Sequence, residues 1–359
     1  MIQWPSTVRP HSSTVVAKVR VGSRFAGGLV RARLRGRPVI LSHLITGRCN
    51  ADCPTCLWRD DATRELDTDT VAWLYRQAAD LGIPQLVVWG GEPLLRSDLP
   101  ALLAVAREAG LVVTLITNGW SLGERWPELR GHVDVLILSL DDTGEAHDRL
   151  RGLPGLFRRL EAFTASVRDD PARPKLLVNT VLSRLNRGAL RRVAPVAERW
   201  GAGLYFCPME TGRMETSGFA GPLASLSLEP PGLRDAARLA KVLKGVGYPL
   251  MATDRYLDLL EKDPALTAYT CRAPRAILTV EADGAVRDCL RRDVPLARVD
   301  QLRAAGGRMA DVLAIPRYQQ MVKSAERCTA CNNPDVLEIS WLWDLERQML
   351  EKVGRLVAT

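Results

Sequence analysis

Cys49, Cys53 and Cys56 lie in the run Cys49-Asn50-Ala51-Asp52-Cys53-Pro54-Thr55-Cys56. Three thiols at this spacing on one loop can hold three irons of a four-iron cubane. Such clusters are normally held by four thiolates, so a local triad leaves one iron without a protein ligand. An open position is what a catalytic metal site needs, whereas a structural site is closed. The other chemistry open to these thiols is a zinc site completed by a fourth ligand elsewhere.

A second group follows near the end of the chain: Cys271, Cys289, Cys328 and Cys331. The last two form a CxxC pair, and Gly284 stands five residues before Cys289, as a tight hairpin requires. Four thiolates close a cubane completely, and they equally suit a four-thiolate zinc. Cys207 belongs to neither group. Its S–H bond is weak enough to give a hydrogen atom to a carbon radical. Its other reading is a small buried hydrophobe.

The elements that position these residues alternate. β-rich runs are predicted at Val39–Ile45, Gln85–Trp89, Val112–Thr117, Val133–Ser139, Lys175–Val181 and Gly203–Phe206. Helices are predicted at Thr70–Leu81, Leu99–Ala109, Leu156–Val167 and Leu190–Trp200. Repeated strand–helix units imply a parallel sheet with right-handed crossovers. Six units are too few for a closed eight-stranded barrel, so the expected fold is α/β, a partial (βα)6 TIM-like barrel with a small C-terminal cluster-binding domain. Each polar motif falls after a strand, where such folds build their sites. Further on, Ser217–Pro231 reads as a linker and Leu233–Val246 as a helix. A hairpin is predicted at Ala276–Arg287, turning at Asp283-Gly284. A helix is predicted near Ser340–Val353. The expected division is 1–37, an N-terminal extension; 38–216, the barrel; 217–270, linker and helices; 271–335, the second cysteine domain; and 336–359, a terminal helix.

The chain has 359 residues, 47% hydrophobic and 25% charged, an ordinary globular balance. No apolar run reaches the roughly 20 residues of a membrane span, and no secretory h-region opens the chain. Eight cysteines in metal-like spacings fit a reducing compartment, the cytoplasm. Residues 1–37 hold eight basic and no acidic residues; the rest balances at 41 basic against 41 acidic. This segment is a candidate for weak contact with an anionic membrane surface, or a solvated leader, or a piece packed on the core. Nucleic acid is not expected, because no aromatic platform accompanies the charges.

The CxxxCxxC loop resembles that of the radical S-adenosylmethionine (SAM) superfamily. Trp89-Gly90-Gly91-Glu92-Pro93 resembles its GGEP segment, Ser139-Leu140-Asp141 the end of its fourth strand, and Gly144–Gly152 the helix start that follows. The resemblance covers roughly Leu41–Met209 and extends to about Asn333. It implies a 4Fe–4S cluster on Cys49, Cys53 and Cys56 whose open iron chelates SAM. One-electron cleavage of SAM then gives a 5′-deoxyadenosyl radical, which takes a hydrogen atom from the substrate. It implies that Gly90, Gly91, Glu92 and Pro93 hold the SAM amino group. Asn118, Ser139 and Asp141 would hold its carboxylate and ribose. Arg151 would pair with the carboxylate through its planar fork, and Asn179 and Arg184 would add contacts. His147 is a helix-entry residue. One departure is Thr55, where the family usually has an aromatic residue near the adenine; Trp58 is the candidate substitute. The second cysteine group resembles a twitch domain, the shortened SPASM domain, and so implies one auxiliary 4Fe–4S cluster on Cys271, Cys289, Cys328 and Cys331.

The resemblance also implies a reducing donor such as flavodoxin or ferredoxin, and a small-molecule or peptide substrate. A twitch-type cluster points to dehydrogenation of a sugar or aminocyclitol-type intermediate. Cys207 as a hydrogen donor points to epimerisation, with Tyr205 and Glu210 lining the pocket. Maturation of a peptide is a further reading, weakened by the lack of about 80 residues before Val39 for leader recognition. A membrane lipid is another, and a non-catalytic iron–sulfur or zinc scaffold stands outside enzymes altogether.

Overall fold

The computed structural model describes residues 24–60, 62–209, 225–264, 268–287, 289, 295–329, 331 and 333–358, with side chains to 354. Residues 1–23, Glu210 and most of the predicted linker (217–224) lie outside the described residues. Six strands run parallel in chain order: β1 (Ile40–Thr46), β2 (Gln85–Gly90), β3 (Val112–Thr117), β4 (Val135–Ser139), β5 (Lys175–Leu182) and β6 (Gly203–Pro208). Alternation decides their faces. Leu41, Leu86, Val113, Leu136, Val178 and Leu204 are fully buried beneath the helical layer, each contributing about 1.5–3 kcal/mol. Between them Ser42, Val87, Ile116, Ile137, Leu177 and Tyr205 point into the barrel and line its cavity.

The connecting helices are α2 (Thr68–Leu81), α3 (Leu99–Glu108), α4 (Leu122–Leu129), α5 (Gly144–Arg151), α6 (Leu156–Ser166) and α7 (Ala189–Arg199). Asp67 caps α2 by accepting from the Thr70 N–H at 2.8 Å, and Gly82 ends it with φ 88°. α4 was not expected, because Pro127 sits inside it; at 8 residues it keeps Trp126 and Leu129 buried despite the missing donor.

The sheet does not close. It continues past β1 through a hairpin of β7 (Ile277–Val280) and β8 (Ala285–Arg287), then β9 (Ala297–Arg298), giving the order β6-β5-β4-β3-β2-β1-β7-β8-β9. The hairpin turns at Asp283-Gly284 as expected, and β7 also pairs in parallel with β1. The second cysteine region thus shares a sheet with the barrel. A further helix pair, α8 (Pro230–Gly245) and α9 (Asp254–Lys262), packs beyond β6, where the bridge of Leu204 to Leu250 adjoins it.

Two departures concern the termini. Residues 24–34 form a helix, here α1. Leu29 and Ala32 of α1 enter the core, and a Cβ on Gly28 would stand 2.4 Å from that of Pro84. A division at residue 37 therefore does not follow the packing. The single terminal helix expected near Ser340–Val353 is two, α11 (Pro334–Trp343) and α12 (Arg347–Ala358), preceded by α10 (Pro316–Ala325). They break at Leu345, which adopts φ 58°. The Arg33 Nε donates to the Trp343 carbonyl at 2.9 Å, tying α1 to α11. Among the described residues no helix is long and apolar enough to cross a membrane.

Candidate functional site

The cysteine loop leaves the top of β1 and is held against the top of β2 backbone to backbone. The Gly91 N–H donates to the Thr46 carbonyl at 2.7 Å, and that of Glu92 to Arg48 at 2.8 Å. A Cβ on Gly91 would lie 2.1 Å from the Arg48 carbonyl oxygen, and one on Gly90 2.4 Å from that of Thr46. Gly90 also has φ 141°, which side chains avoid. The sequence pattern suggested glycines that admit a ligand. In the fold, the group they admit is the cysteine loop itself. Pro93 starts a 3-10 turn over Pro93–Leu95 whose first two residues are buried.

The three thiols are half-buried neighbours. Burial pushes Cys49 up to about 11, with Glu92, Cys53 and Cys56 adding to the effect. Burial also raises Cys53, against the pull of Arg151. Thiols that resist ionisation alone ionise readily on a bound cation, so the donor set fits iron. Among the described residues no group of three or more His, Cys, Asp or Glu is gathered closely enough for a single ion.

Around the loop runs a polar network that spacing alone does not reveal. Glu65 accepts from Arg48 Nε at 2.7 Å and Nη2 at 3.1 Å, and from the Thr46 hydroxyl. Arg96, buried, donates to the carbonyls of Ile45 and Leu66 and to Asp98. Behind β1, His43 Nδ1 meets the Tyr75 hydroxyl at 2.9 Å, and burial lowers that histidine to about 3. No motif flagged these residues, since their partners lie on distant segments.

Glu92 is 1% exposed. Its carboxylate accepts from Thr117 Oγ1 at 2.7 Å and from the N–H groups of Asn118 and Leu94 at 2.8 and 3.0 Å. Burial raises its proton affinity, opposed by these donors. It stitches the ends of β2 and β3 together. Asn118 in turn donates to Asn50 of the cysteine loop at 2.8 Å. Asp141 accepts from the Val181 N–H at 2.9 Å and pairs with Arg151 at 2.8 Å. His147 accepts from the Asp141 N–H at 3.2 Å and is lowered to about 3 by burial, with Arg151 adding.

Arg151 differs from the expected free fork. Its Nη2 is on Asp141, its Nη1 donates to Cys53 Sγ at 3.8 Å, and its buried Nε has no partner. That orphaned donor, beside three thiols, is a place for an acceptor the chain does not itself supply. Ser139 is level with Asn179 across β4 and β5. Arg184 lies elsewhere, on the exposed Glu229 and the Ser227 carbonyl. Trp58 stacks edge-on against Trp89 at 4.7 Å, placing an aromatic pair beside the loop.

The second cysteines also converge. Cys271 and Cys331 are buried, and Cys289 and Cys328 are half-buried. Burial lifts Cys271 to about 11, with Cys328 and Cys289 contributing. Tyr269 sits among them: its hydroxyl accepts from the Cys331 N–H at 3.2 Å, and burial plus Cys331, Cys271 and Cys328 raise its phenol.

Inside the barrel, lined from mid-strand to the strand starts and by no residue of the cysteine loop, lies a cavity of about 590 Å³ with mostly apolar walls. One wall is polar. Cys207 contacts Asn179 at 3.8 Å, and Tyr205 faces the same space. Lys352, only 4% exposed, reaches in from α12, pairs with Glu338 of α11 and lies over the Tyr205 ring at 4.4 Å. Glu338 also accepts from the Thr253 N–H at 2.8 Å. The terminal helices thus help build the chamber, which periodicity alone did not show.

Residues 44–168 match the radical SAM superfamily. The chain is 38% identical over 167 residues to the PqqA peptide cyclase of Xanthomonas axonopodis pv. citri, 44% of each chain. It is 32% identical over 195 residues to the AdoMet-dependent heme synthase of Methanosarcina barkeri, 52% of this chain and 55% of that one. The matches span about half the length of these curated relatives. In fold, the chain is similar to Streptococcus suis SuiB bound to precursor peptide SuiA, with TM-score 0.62 and 14% identity over 89% of this chain and 75% of that one. It is also similar to anSMEcpe with bound AdoMet and a peptide, with TM-score 0.60 and 14% identity over 88% and 99%. With the open parallel barrel and the loop of three cysteines, the match makes residues 44–168 a radical SAM domain, a fold that binds a 4Fe–4S cluster and SAM.

Proposed function

We propose that this protein is a radical SAM enzyme that modifies a peptide. The observation that carries the reading is a cysteine triad at the head of an open parallel barrel, in a chain whose relatives include PqqA peptide cyclases. When bound, the cluster and SAM supply one-electron cleavage that lets a hydrogen atom be taken from the substrate. The protein's task is binding, orientation and exclusion of water. Cys49, Cys53 and Cys56 hold the cluster. Glu92 fixes Asn118, and Asn118 fixes the loop through Asn50. Arg151 keeps an unspent N–H for the cofactor's carboxylate. Trp58 and Trp89 offer an aromatic flank. The reacting side chain must come close to the loop, since a radical reacts with its nearest neighbour. Cys271, Cys289, Cys328 and Cys331 would hold an auxiliary cluster, which would supply electron transfer, and flavodoxin or ferredoxin would be the reducing donor.

Dehydrogenation of a sugar or aminocyclitol draws no support from the relatives' names. A second reading has one observation behind it. Cys207 faces the chamber beside Asn179, where its thiol could return a hydrogen atom in an epimerisation.

The test is anaerobic co-expression with short peptides encoded beside the gene, followed by mass spectrometry. A peptide losing hydrogen, together with release of 5′-deoxyadenosine by the purified protein, supports the proposal. Release of 5′-deoxyadenosine with turnover only of sugars would overturn it. Deuterium uptake from solvent at one peptide carbon, abolished in Cys207→Ala, would favour epimerisation.

A further inference from the structure

Arg151 is mostly shielded from water, charged and fastened to the cysteine loop by its own backbone. The Asp52 N–H donates to the Arg151 carbonyl at 3.0 Å. The next residue, Gly152, ends α5 with φ 63° and would carry a Cβ 3.0 Å from that of Asp52. This seam leaves the guanidinium little choice of position. One arm meets Cys53 Sγ at 3.8 Å and another the Asp141 carboxylate at 2.8 Å. Both partners of the ion pair are nearly shielded from water, the arginine side chain at 13% exposure. The other groups facing it are Cys56 and Glu92, which feel its charge, and His147, which stays neutral.

A buried ion pair is a weak stabilising device, because desolvation offsets most of the attraction. Its placement on one cluster sulfur calls for another reason. Donors to the sulfurs and nearby charges set the reduction potential of an iron–sulfur cluster. Reduction adds one negative charge, and a cation on a ligand sulfur stabilises that charge more in the reduced state than in the oxidised one.

We propose that Arg151 tunes the first cluster through Cys53, making its one-electron reduction easier, while Asp141 partly cancels this effect. The proposal rests on the reading that Cys49, Cys53 and Cys56 hold a cluster. The electron comes from an external low-potential reductant; no bond to Arg151 forms or breaks. Arg151 thus has a tuning role besides whatever contact its free Nε makes.

The experiment is potentiometric titration with Ti(III) citrate, followed by EPR, on the full-length protein without SAM or substrate. Arg151→Gln should shift the reduction equilibrium of the first cluster about tenfold toward the oxidised form, ~59 mV for one electron. Arg151→Lys, which keeps charge without the fork, should fall between Gln and wild type. Asp141→Asn should move the potential the opposite way. The auxiliary cluster, on the same chain, should not move. An unmoved first cluster in Arg151→Gln, or equal shifts in both clusters, overturns the proposal. If Arg151→Gln fails to hold the cluster, Asp141→Asn decides: no shift, or a shift toward the oxidised form, overturns it. Absence of any first-cluster signal in wild-type protein sinks the underlying reading instead.

Discussion

The C-terminal cysteines, two of them buried, sit deeper than the half-buried triad after β1, and the two groups also differ in company. The triad after β1 is ringed by charge: Asp141 and Glu92 are buried within its surroundings beside the mostly shielded Arg151, and Glu65, Arg48 and Arg96 brace the loop from outside. Among the described residues the C-terminal four have Tyr269 beside them and Arg272 next to Cys271, its charge drawn outward to Glu326 and Asp344. On the proposed reading this contrast has a physical cause. A cluster with an open corner must position an outside ligand, and that takes polar groups. A cluster closed by its own four thiolates has no outside ligand to position.

The comparison breaks most decisively at the thiols. Replacing Cys49, Cys53 and Cys56 by Ala should remove about four irons per chain, the content of one cubane, and abolish release of 5′-deoxyadenosine. Iron analysis and chromatography check this; persistence of the nucleoside would refute the open-corner assignment. Replacing Cys271 and Cys331 by Ala should also remove about four irons, but the nucleoside should still form while peptide product disappears. One zinc in place of that iron in wild-type protein would contradict the auxiliary cluster.

Smaller changes sharpen the contrast. Gly91→Ala drives a methyl into the Arg48 carbonyl and should cost roughly 1–3 kcal/mol, with first-cluster occupancy falling before auxiliary occupancy. Glu92→Gln loses a charged acceptor for three donors and should cost about 1–3 kcal/mol by chemical denaturation. The smallest effect is one of pH. His43 and His147 have folded values near 3 against 6.5 unfolded. Their contribution is therefore complete above pH 6.5 and lost as pH falls toward 3. Each should lower stability by roughly 1.4 kcal/mol per pH unit in that window. No histidine follows residue 147, so hydrogen exchange at pH 5.5 should loosen the triad half first. Uniform loosening would contradict this.

The sequence was most readable where period and chemistry coincide. β3 occupies Val112–Thr117 as read, because its apolar run is bounded by Gly110 and Asn118. The motifs after β1 to β4 do converge around the loop. What could not be read were choices made by distant partners. Glu65 looks like any surface acid until Arg48, Thr46 and Arg96 surround it. Gly90 and Gly91 carry no mark telling whether ligand or loop will press on them. Lys352 reads as the polar face of a helix, yet α12 turns it into the chamber, and the break at Leu345 that allows this has no glycine to announce it.

The join between β1 and β7 has a practical consequence for anyone dividing this chain. Cutting after residue 270 would bare a flank of β1 and leave its hydrogen-bonding groups facing water. Raw sheet borders of that kind invite other chains to stack on them. The shortened fragment would clump before it could be assayed, and the region beyond residue 270 is better regarded as the barrel's seal than as a detachable accessory.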